Sequence, residues 1–245
     1  MKVLIIGSGG REHALAHKLS MSHKNPELFA APGNAGLSKL ATCVPIAVDD
    51  IDGLLAFALK AQIDLTIVGP ELPLVLGVVD RFEAAGLRIF GPNAKAAQFE
   101  GSKAFTKDFL NRYHIPTAKS ATYTSLNEAL EGLKAFDYPL VIKADGLAAG
   151  KGVIIAETES EAVKTLHDLM EAHVFGTAGT KVVLEAFLKG IEASVLCFVD
   201  GVTILPMSPA QDYKKAYDGD LGLNTGGMGT YSPSRVIDAV LMHKI

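Results

Sequence analysis

Gly7-Ser8-Gly9-Gly10-Arg11-Glu12 follows the apolar run Val3 to Ile6. Glycines at that place let backbone N–H groups and a helix N-terminus meet an anion. The pattern departs from a dinucleotide fingerprint in two respects. Its third glycine position holds Glu12, and the end of the second apolar run reads Phe29-Ala30-Ala31 where a ribose-binding acid would stand. A phosphate or substrate loop, a nicotinamide site and a plain tight turn all remain compatible with these residues.

Asp145-Gly146-Leu147-Ala148-Ala149-Gly150-Lys151-Gly152 looks like a phosphate-binding P-loop but is one residue short and has Gly152 where Ser or Thr would hold magnesium. It joins Leu140–Asp145 to Val153–Ala156, strand to strand, and so reads as a flap over a sheet. Lys143 lies inside the first of these strands with Asp145 on the same face, and a lysine so placed needs an anion or a carboxylate. A triphosphate supplies the first; Asp145 or Glu157 would supply the second. Val182–Leu188 followed by Glu192 is a strand and connector whose backbone can read an adenine edge and whose acid can accept from ribose hydroxyls, although Glu at a strand end is also ordinary. Residues 208–233 are polar and glycine-rich and read as a long loop, either an anion nest around Asn224-Thr225-Gly226-Gly227-Met228-Gly229 or a disordered surface segment. His13 and His17 have metal-ligand spacing without a third ligand, which favours a solvated helix face. No Ser/His/Asp or Cys/His arrangement stands out.

The elements that must position these groups follow from periodicity. Strands are expected at Val3–Ile6, Leu28–Ala31, Val44–Val48, Leu65–Val68 and Leu87–Phe90, and helices at Arg11–Met21, Asp50–Ala61 and Leu74–Ala85. That alternation predicts a parallel sheet with ligand loops at the carboxyl ends of its strands, namely 7–10, 32–36, 69–71 and 91–93. Ser102 is the expected N-cap of a helix Lys103–Tyr113, and a domain boundary falls near residue 100. Beyond it, capping boxes at Ser125-x-x-Glu128 and Thr158-x-x-Glu161 start helices of about a dozen residues. Further strands are expected at Leu140–Asp145, Val153–Ala156, Val182–Glu185, Ala193–Val199 and Val202–Leu205, with a hairpin turn at Asp200-Gly201 and a last helical stretch at Val236–Ile245. The second half is therefore α+β.

With 49% hydrophobic and 20% charged residues, the 245-residue chain is globular rather than disordered. A net charge of −4 argues against broad nucleic-acid or anionic-membrane binding. The two cysteines, Cys43 and Cys197, form no disulfide framework or zinc ribbon and read as buried or inert thiols. No apolar stretch is long enough for a signal or a membrane span, so the cytoplasm is the expected address.

Taken together and in order, 7–15, 32–36, 68–71, 101–103, 142–152 and 224–229 resemble the motifs of the glycinamide ribonucleotide synthetase family, a branch of the ATP-grasp group, over essentially the whole chain. Tyr213 and Lys215 stand where that family's Gln-Asp-His-Lys-Arg stretch has His and Arg. The resemblance implies an α/β chain: a Rossmann-like substrate domain over 1–100, then an α+β ATP-grasp domain over 101–245 with a flap-bearing lid at about 118–190. It implies ATP-dependent ligation of glycine to 5-phosphoribosylamine through glycyl phosphate, in purine biosynthesis. Lys103 and Lys143 would neutralise ATP phosphates under a flap containing Gly146, Gly150, Lys151 and Gly152. Glu185 and Leu188 would bind adenine, largely through backbone atoms, and Glu192 the ribose. Gly9, Gly10, Arg11, Gly33, Asn34 and Glu71, with Asp212, Lys214, Gly226 and Gly227, would face phosphoribosylamine and glycine. The family's magnesium ligands, a Glu and an Asn in an Ile-Glu-Phe-Asn-type strand, have no match here, so no metal ligand is assigned within the chain. The ATP-grasp domain is expected to be incomplete, and the chain alone to turn over poorly. A non-catalytic nucleotide-binding module and an NAD-dependent oxidoreductase are the alternatives.

Overall fold

The computed structural model describes all residues except 147–151, 173, 175–178 and 220, and only the backbone of 223 and 224. The expected flap residues Gly150 and Lys151 thus lie outside the described residues. The chain divides into two compact units, one of Met1–Thr117 with Asp145–Leu147, the other of Ala118–Ala144 with Ala148–Ile245. Among the described residues no helix is long and apolar enough to cross a membrane.

The first unit runs β1 (Lys2–Gly7), α1 (Gly10–Ser20), β2 (Glu27–Pro32), β3 (Thr42–Cys43), α2 (Ile51–Ala61), β4 (Leu65–Val68), α3 (Glu71–Val75), α4 (Val78–Ala84), β5 (Ile89–Phe90), α5 (Ala94–Gly101) and α6 (Lys103–Arg112). Its strands form one parallel sheet in the order β3-β2-β1-β4-β5. Alternate side chains of β1 enter different cores. Val3 and Ile5 join Ala16, Leu28 and Leu37 on one face, and Leu4 and Ile6 join Leu54, Ala58 and Phe82 on the other. A strand buried on both faces reads as a continuous apolar run, as Val3–Ile6 does. Chain order reverses across β1 and β4, so the loops after these two strands part and leave a crevice at their carboxyl ends.

Several expected elements shift. The strand sought at Val44–Val48 is the short β3 instead. Val44 N–H still reaches Ala30 O at 2.8 Å, but Pro45 has no N–H with which to extend the ladder. The helix expected over Leu74–Ala85 is two helices, parted at Gly77 with φ +83°. Gly91-Pro92-Asn93 also opens the unanticipated α5, with Asn93 Oδ1 accepting from Ala96 N at 2.9 Å. Ser102 caps α6 as expected, its Oγ accepting from Phe105 N at 3.1 Å.

The second unit contains β6 (Ser120–Tyr123), α7 (Leu126–Gly132), β7 (Leu140–Ala144), β8 (Val153–Ala156), α8 (Glu159–Met170), β9 (Val182–Ala186), β10 (Cys197–Val199), β11 (Ile204–Pro206), β12 (Gln211–Tyr217), β13 (Leu221–Tyr231) and α9 (Ala239–Lys244). An antiparallel sheet, β6-β9-β7-β8, buries Leu140, Ile142, Ala144, Val182 and Leu184 against Ala129 of α7 and Ala162, Leu166 and Leu169 of α8. Period-two alternation turns Val141, Lys143, Val183 and Glu185 to the other face. Thr158 caps α8, accepting from Glu161 N at 3.3 Å. At α7 the Ser125 side chain makes no cap, and the helix ends after seven residues at Gly132, where a methyl group would overlap the Tyr123 hydroxyl.

The segment expected to be a long loop is largely a β-hairpin, β12 and β13. Its many glycines break the alternation that marks a strand, yet the Tyr213 and Tyr231 rings stack at 5.9 Å across it and Asp218-Gly219 supplies the turn, Gly219 having φ +73°. Strands β10 and β11 pair through the expected Asp200-Gly201 turn. Backbone N–H groups of Thr203, at 2.7 Å, and Val202, at 3.0 Å, hold the Asp200 carboxyl below the usual carboxylate range. The thiol of Cys197 is exposed rather than buried.

Leu166→Ala is expected to cost about 2–5 kcal/mol, because a fully buried leucine leaves a cavity under the antiparallel sheet. Thr158→Ala, which only uncaps α8, should cost about 1 kcal/mol. Urea unfolding followed by circular dichroism measures both; equal shifts of the midpoint would contradict this ranking.

Candidate functional site

Unit one offers a cleft of about 370 Å³ at the crevice between β1 and β4, lined by Gly7–Glu12, Val48, Pro70 and Glu71. The sequence-predicted residues Gly9, Gly10, Arg11 and Glu71 meet here. Arg11 Nη1 donates to Gly69 O and lies 3.4 Å from Glu71 Oε1, so the guanidinium is tied to the opposite lip. Gly9 N–H donates to Glu12 Oε2 at 2.5 Å. Glu12 is 4% exposed and lies under Gly7, Gly9 and Gly69. In the sequence Glu12 is marked only as a departure from a fingerprint. The overlooked signal was a carboxylate at a position that ordinarily tolerates no side chain.

Gly33 and Asn34 shape the neighbouring loop. Asn34 Nδ2 donates to Ser8 O at 2.8 Å, and Asn34 Oδ1 accepts from Gly36 N and Leu37 N, each at 2.8 Å. Both ends of that amide hold backbone, an Asx-type turn that fixes Ser8. Gly33 has φ +75°, and a side chain there would overlap Cys43 Sγ. His13 is half-buried against Gly36 while His17 is exposed, and among the described residues no group of three or more His, Cys, Asp and Glu side chains could hold a metal.

A second constellation in the same unit joins the N-terminus of α6 to the residues after β7. Asp145 accepts from Ser102 Oγ at 3.1 Å and from Ala104 N at 3.2 Å, and Lys103 Nζ donates to Gly146 O at 2.8 Å. A carboxylate at a helix N-terminus satisfies an orphan donor and meets the positive end of the helix dipole.

In unit two, Lys143 pairs with Glu185, which replaces the expected Asp145 or Glu157 as its partner. The antiparallel register explains why. Lys143 stands opposite Val183 and Glu185 opposite Val141, so lysine and glutamate are diagonal neighbours on one face. Their side chains are 27% and 8% exposed, leaving the ammonium reachable from solvent and the carboxylate withdrawn. Leu188 lies exposed in the connector after β9.

Glu192 pairs with Lys214, whose Nζ is also 3.9 Å from Asp212 Oδ2. The structure thus gathers into one cluster a residue assigned to ribose and two assigned to the other substrates. The ladder of β12 and β13 shifts between Tyr213, opposite Gly229, and Lys215, opposite Asn224, so residues 225–228 bulge out. Thr225 Oγ1 donates to Lys214 O at 2.8 Å and accepts from Gly227 N at 3.1 Å. Gly227 has φ +121°, and a methyl group on it would lie 4.0 Å from Asp212 Oδ2. Gly226 faces open space in the same bulge.

Comparison with known proteins gives two adjoining matches. Residues 1–100 fit the model of the phosphoribosylglycinamide synthetase N domain, and residues 101–245 that of the phosphoribosylglycinamide synthetase ATP-grasp (A) domain. The chain is 59% identical over 239 residues to a phosphoribosylamine–glycine ligase of Xanthomonas campestris and 57% identical over 239 residues to one of Escherichia coli, in each case over 97% of this chain. It spans 56% of the length of both relatives. Among solved structures, the phosphoribosylamine–glycine ligase of Thermotoga maritima superposes with a TM-score of 0.82 at 34% identity, over 96% of this chain and 56% of that one.

Glu185→Ala is expected to destabilise the chain by about 3 kcal/mol, because it strands a half-buried ammonium, whereas the double change Lys143→Met with Glu185→Leu should recover most of the loss. Breaking the exposed Glu192–Lys214 pair should cost no more than about 1 kcal/mol. A double-mutant cycle by urea unfolding reads all of these, and a double variant no better than Glu185→Ala would refute the pairing argument.

Proposed function

The chain belongs to the phosphoribosylglycinamide synthetase family, and from that premise we propose that it forms the nucleotide-binding and part of the substrate-binding machinery of an ATP-dependent ligase joining glycine to 5-phosphoribosylamine. Residues 1–100 are read as the substrate domain and 101–245 as the ATP-grasp domain, with a lid at about 118–190 and the cytoplasm as the address. The proposed reaction has two displacements. A carboxylate oxygen of glycine bonds to the γ-phosphorus of ATP as the bond to ADP breaks. The amine nitrogen of phosphoribosylamine then bonds to the acyl carbon of glycyl phosphate, inorganic phosphate leaves with the C–O electron pair, and the nitrogen loses a proton. The products are glycinamide ribonucleotide, ADP and phosphate.

The observation that carries this reading is the Lys143–Glu185 pair on the face of β7 and β9 opposite α7 and α8. An ammonium has three donors, so one directed at Glu185 leaves others for phosphate oxygens. Glu185 anchors the ammonium on this face before any nucleotide arrives. Lys103, Gly146 and Gly152 are assigned with it to the phosphates, Glu185 and Leu188 to adenine through their backbone, and Glu192 to the ribose. Gly9, Gly10, Arg11, Gly33, Asn34, Glu71, Asp212, Lys214, Gly226 and Gly227 are assigned to glycine and phosphoribosylamine. Catalysis on such a site is positioning and charge neutralisation, which needs no side-chain nucleophile.

Magnesium, which the family implies, does not fit the described residues. Magnesium beside a triphosphate needs one or two available carboxylates, and here Asp145 is engaged at the N-terminus of α6, Glu185 by Lys143 and Glu192 by Lys214.

Lys143→Ala and Glu192→Ala are each expected to weaken ATP binding about 10- to 100-fold, the worth of one charge-assisted contact. Titration calorimetry on the chain measures this, and unchanged affinity in both would overturn the nucleotide placement. The ligase reading is tested by exchanging this chain for the corresponding 239 residues of the Escherichia coli relative. The chimera should release ADP only when glycine and phosphoribosylamine are both present; a folded chimera that does not would refute the reading.

A further inference from the structure

The first glycine loop carries its own anion. In a dinucleotide fingerprint the second glycine brings backbone to the pyrophosphate and the third leaves room for close helix–strand packing. Here the second of those positions is Gly9, whose N–H is held by Glu12 Oε2 at 2.5 Å, and the third is Glu12 itself. The socket is built to fit this side chain. A methyl group on Gly7 would lie 2.6 Å from Glu12 Cγ, one on Gly9 would lie 3.0 Å from Oε2, and one on Gly69 would overlap Oε1. Glycines at the ends of two different strands, β1 and β4, therefore give way to one carboxylate that is 4% exposed. Arg11, the cation lining the same cleft, is engaged by Gly69 O and Glu71.

We propose that Glu12 is a specificity-determining residue that closes this loop to phosphate: its carboxylate occupies the anion position at the N-terminus of α1, so a phosphate would meet a like charge and a backbone donor already in use. The cleft accordingly accepts the uncharged or cationic part of its ligand, hydroxyls or an amine. Exclusion of phosphate follows from the geometry of the loop alone. Only the assignment of those groups to phosphoribosylamine rests on the ligase reading.

The test uses inorganic phosphate as probe and the backbone amide resonances of Gly9 and Gly10 as readout. In the unaltered chain these resonances should not respond, while in Glu12→Gln, which keeps the shape and removes the charge, phosphate should bind about tenfold or more tightly, the expected effect of lifting one like charge at short range. Gly69→Ala provides an independent variant, since it displaces the carboxylate without altering Glu12, and it should gain phosphate binding as well. The dispersed amide spectrum of each variant reports that it is folded. If the unaltered chain binds phosphate at Gly9 and Gly10 as tightly as Glu12→Gln, or if neither folded variant gains binding there, the proposal is overturned. Because no glycine, ATP or phosphoribosylamine is present, a failure of the ligase reading would leave this result unaffected.

Discussion

Val3, Leu4, Ile5 and Ile6 are all withdrawn from solvent, two on each face of the parallel sheet. A strand covered on both sides has only its ends for chemistry. That constraint sends Gly7–Glu12 and Gly69–Glu71 to the crevice where chain order reverses, and brings Arg11, Glu12 and Glu71 together at the carboxyl ends of β1 and β4. The antiparallel sheet of the second unit obeys a weaker constraint. One of its faces is filled by α7 and α8, and the other is left to carry Lys143 and Glu185.

Three carboxylates share one task in different settings. Glu12 satisfies a loop N–H, Asp145 the N-terminus of a helix, and Glu185 an ammonium on a strand. Each takes the place of water at a polar group that folding partly withdraws from solvent, and leaving such a group unpaired would cost up to about 1–3 kcal/mol. The Glu192–Lys214–Asp212 cluster is unlike them, since its members are substantially exposed and salt screens their attraction.

The parallel sheet was legible because Val3–Ile6 and Leu28–Ala31 are unbroken apolar runs, and Leu65–Val68 one interrupted only by Thr66, with glycine at or just beyond their ends. Helix caps at Ser102 and Thr158 were legible for a similarly local reason. Pairing across strands was not. Whether Lys143 meets Asp145, Glu157 or Glu185 depends on the register of β7 against β9, and residues 42 positions apart are set by the fold. The hairpin at Gln211–Tyr231 was hidden because glycine contributes nothing to a hydrophobic pattern, although its Asp-Gly turn stood in plain view. Glu12 was visible as an anomaly, but its role required the loop after β4, 57 positions away, to be brought alongside.

The clasp between α6 and residues 145–146 gives the first unit an awkward assembly order. Ser102 and Lys103 leave a ribosome well before their partners, and the unit to which they belong takes in Asp145–Leu147 only after all of Ala118–Ala144 has been made. Vectorial synthesis, which commonly lets an amino-terminal domain fold before the rest of the chain emerges, therefore leaves this one without its last fastening. Until β7 has been translated, the N-terminus of α6 has only Ser102 to close it, and the nascent chain carries an almost finished domain waiting on a three-residue segment from downstream.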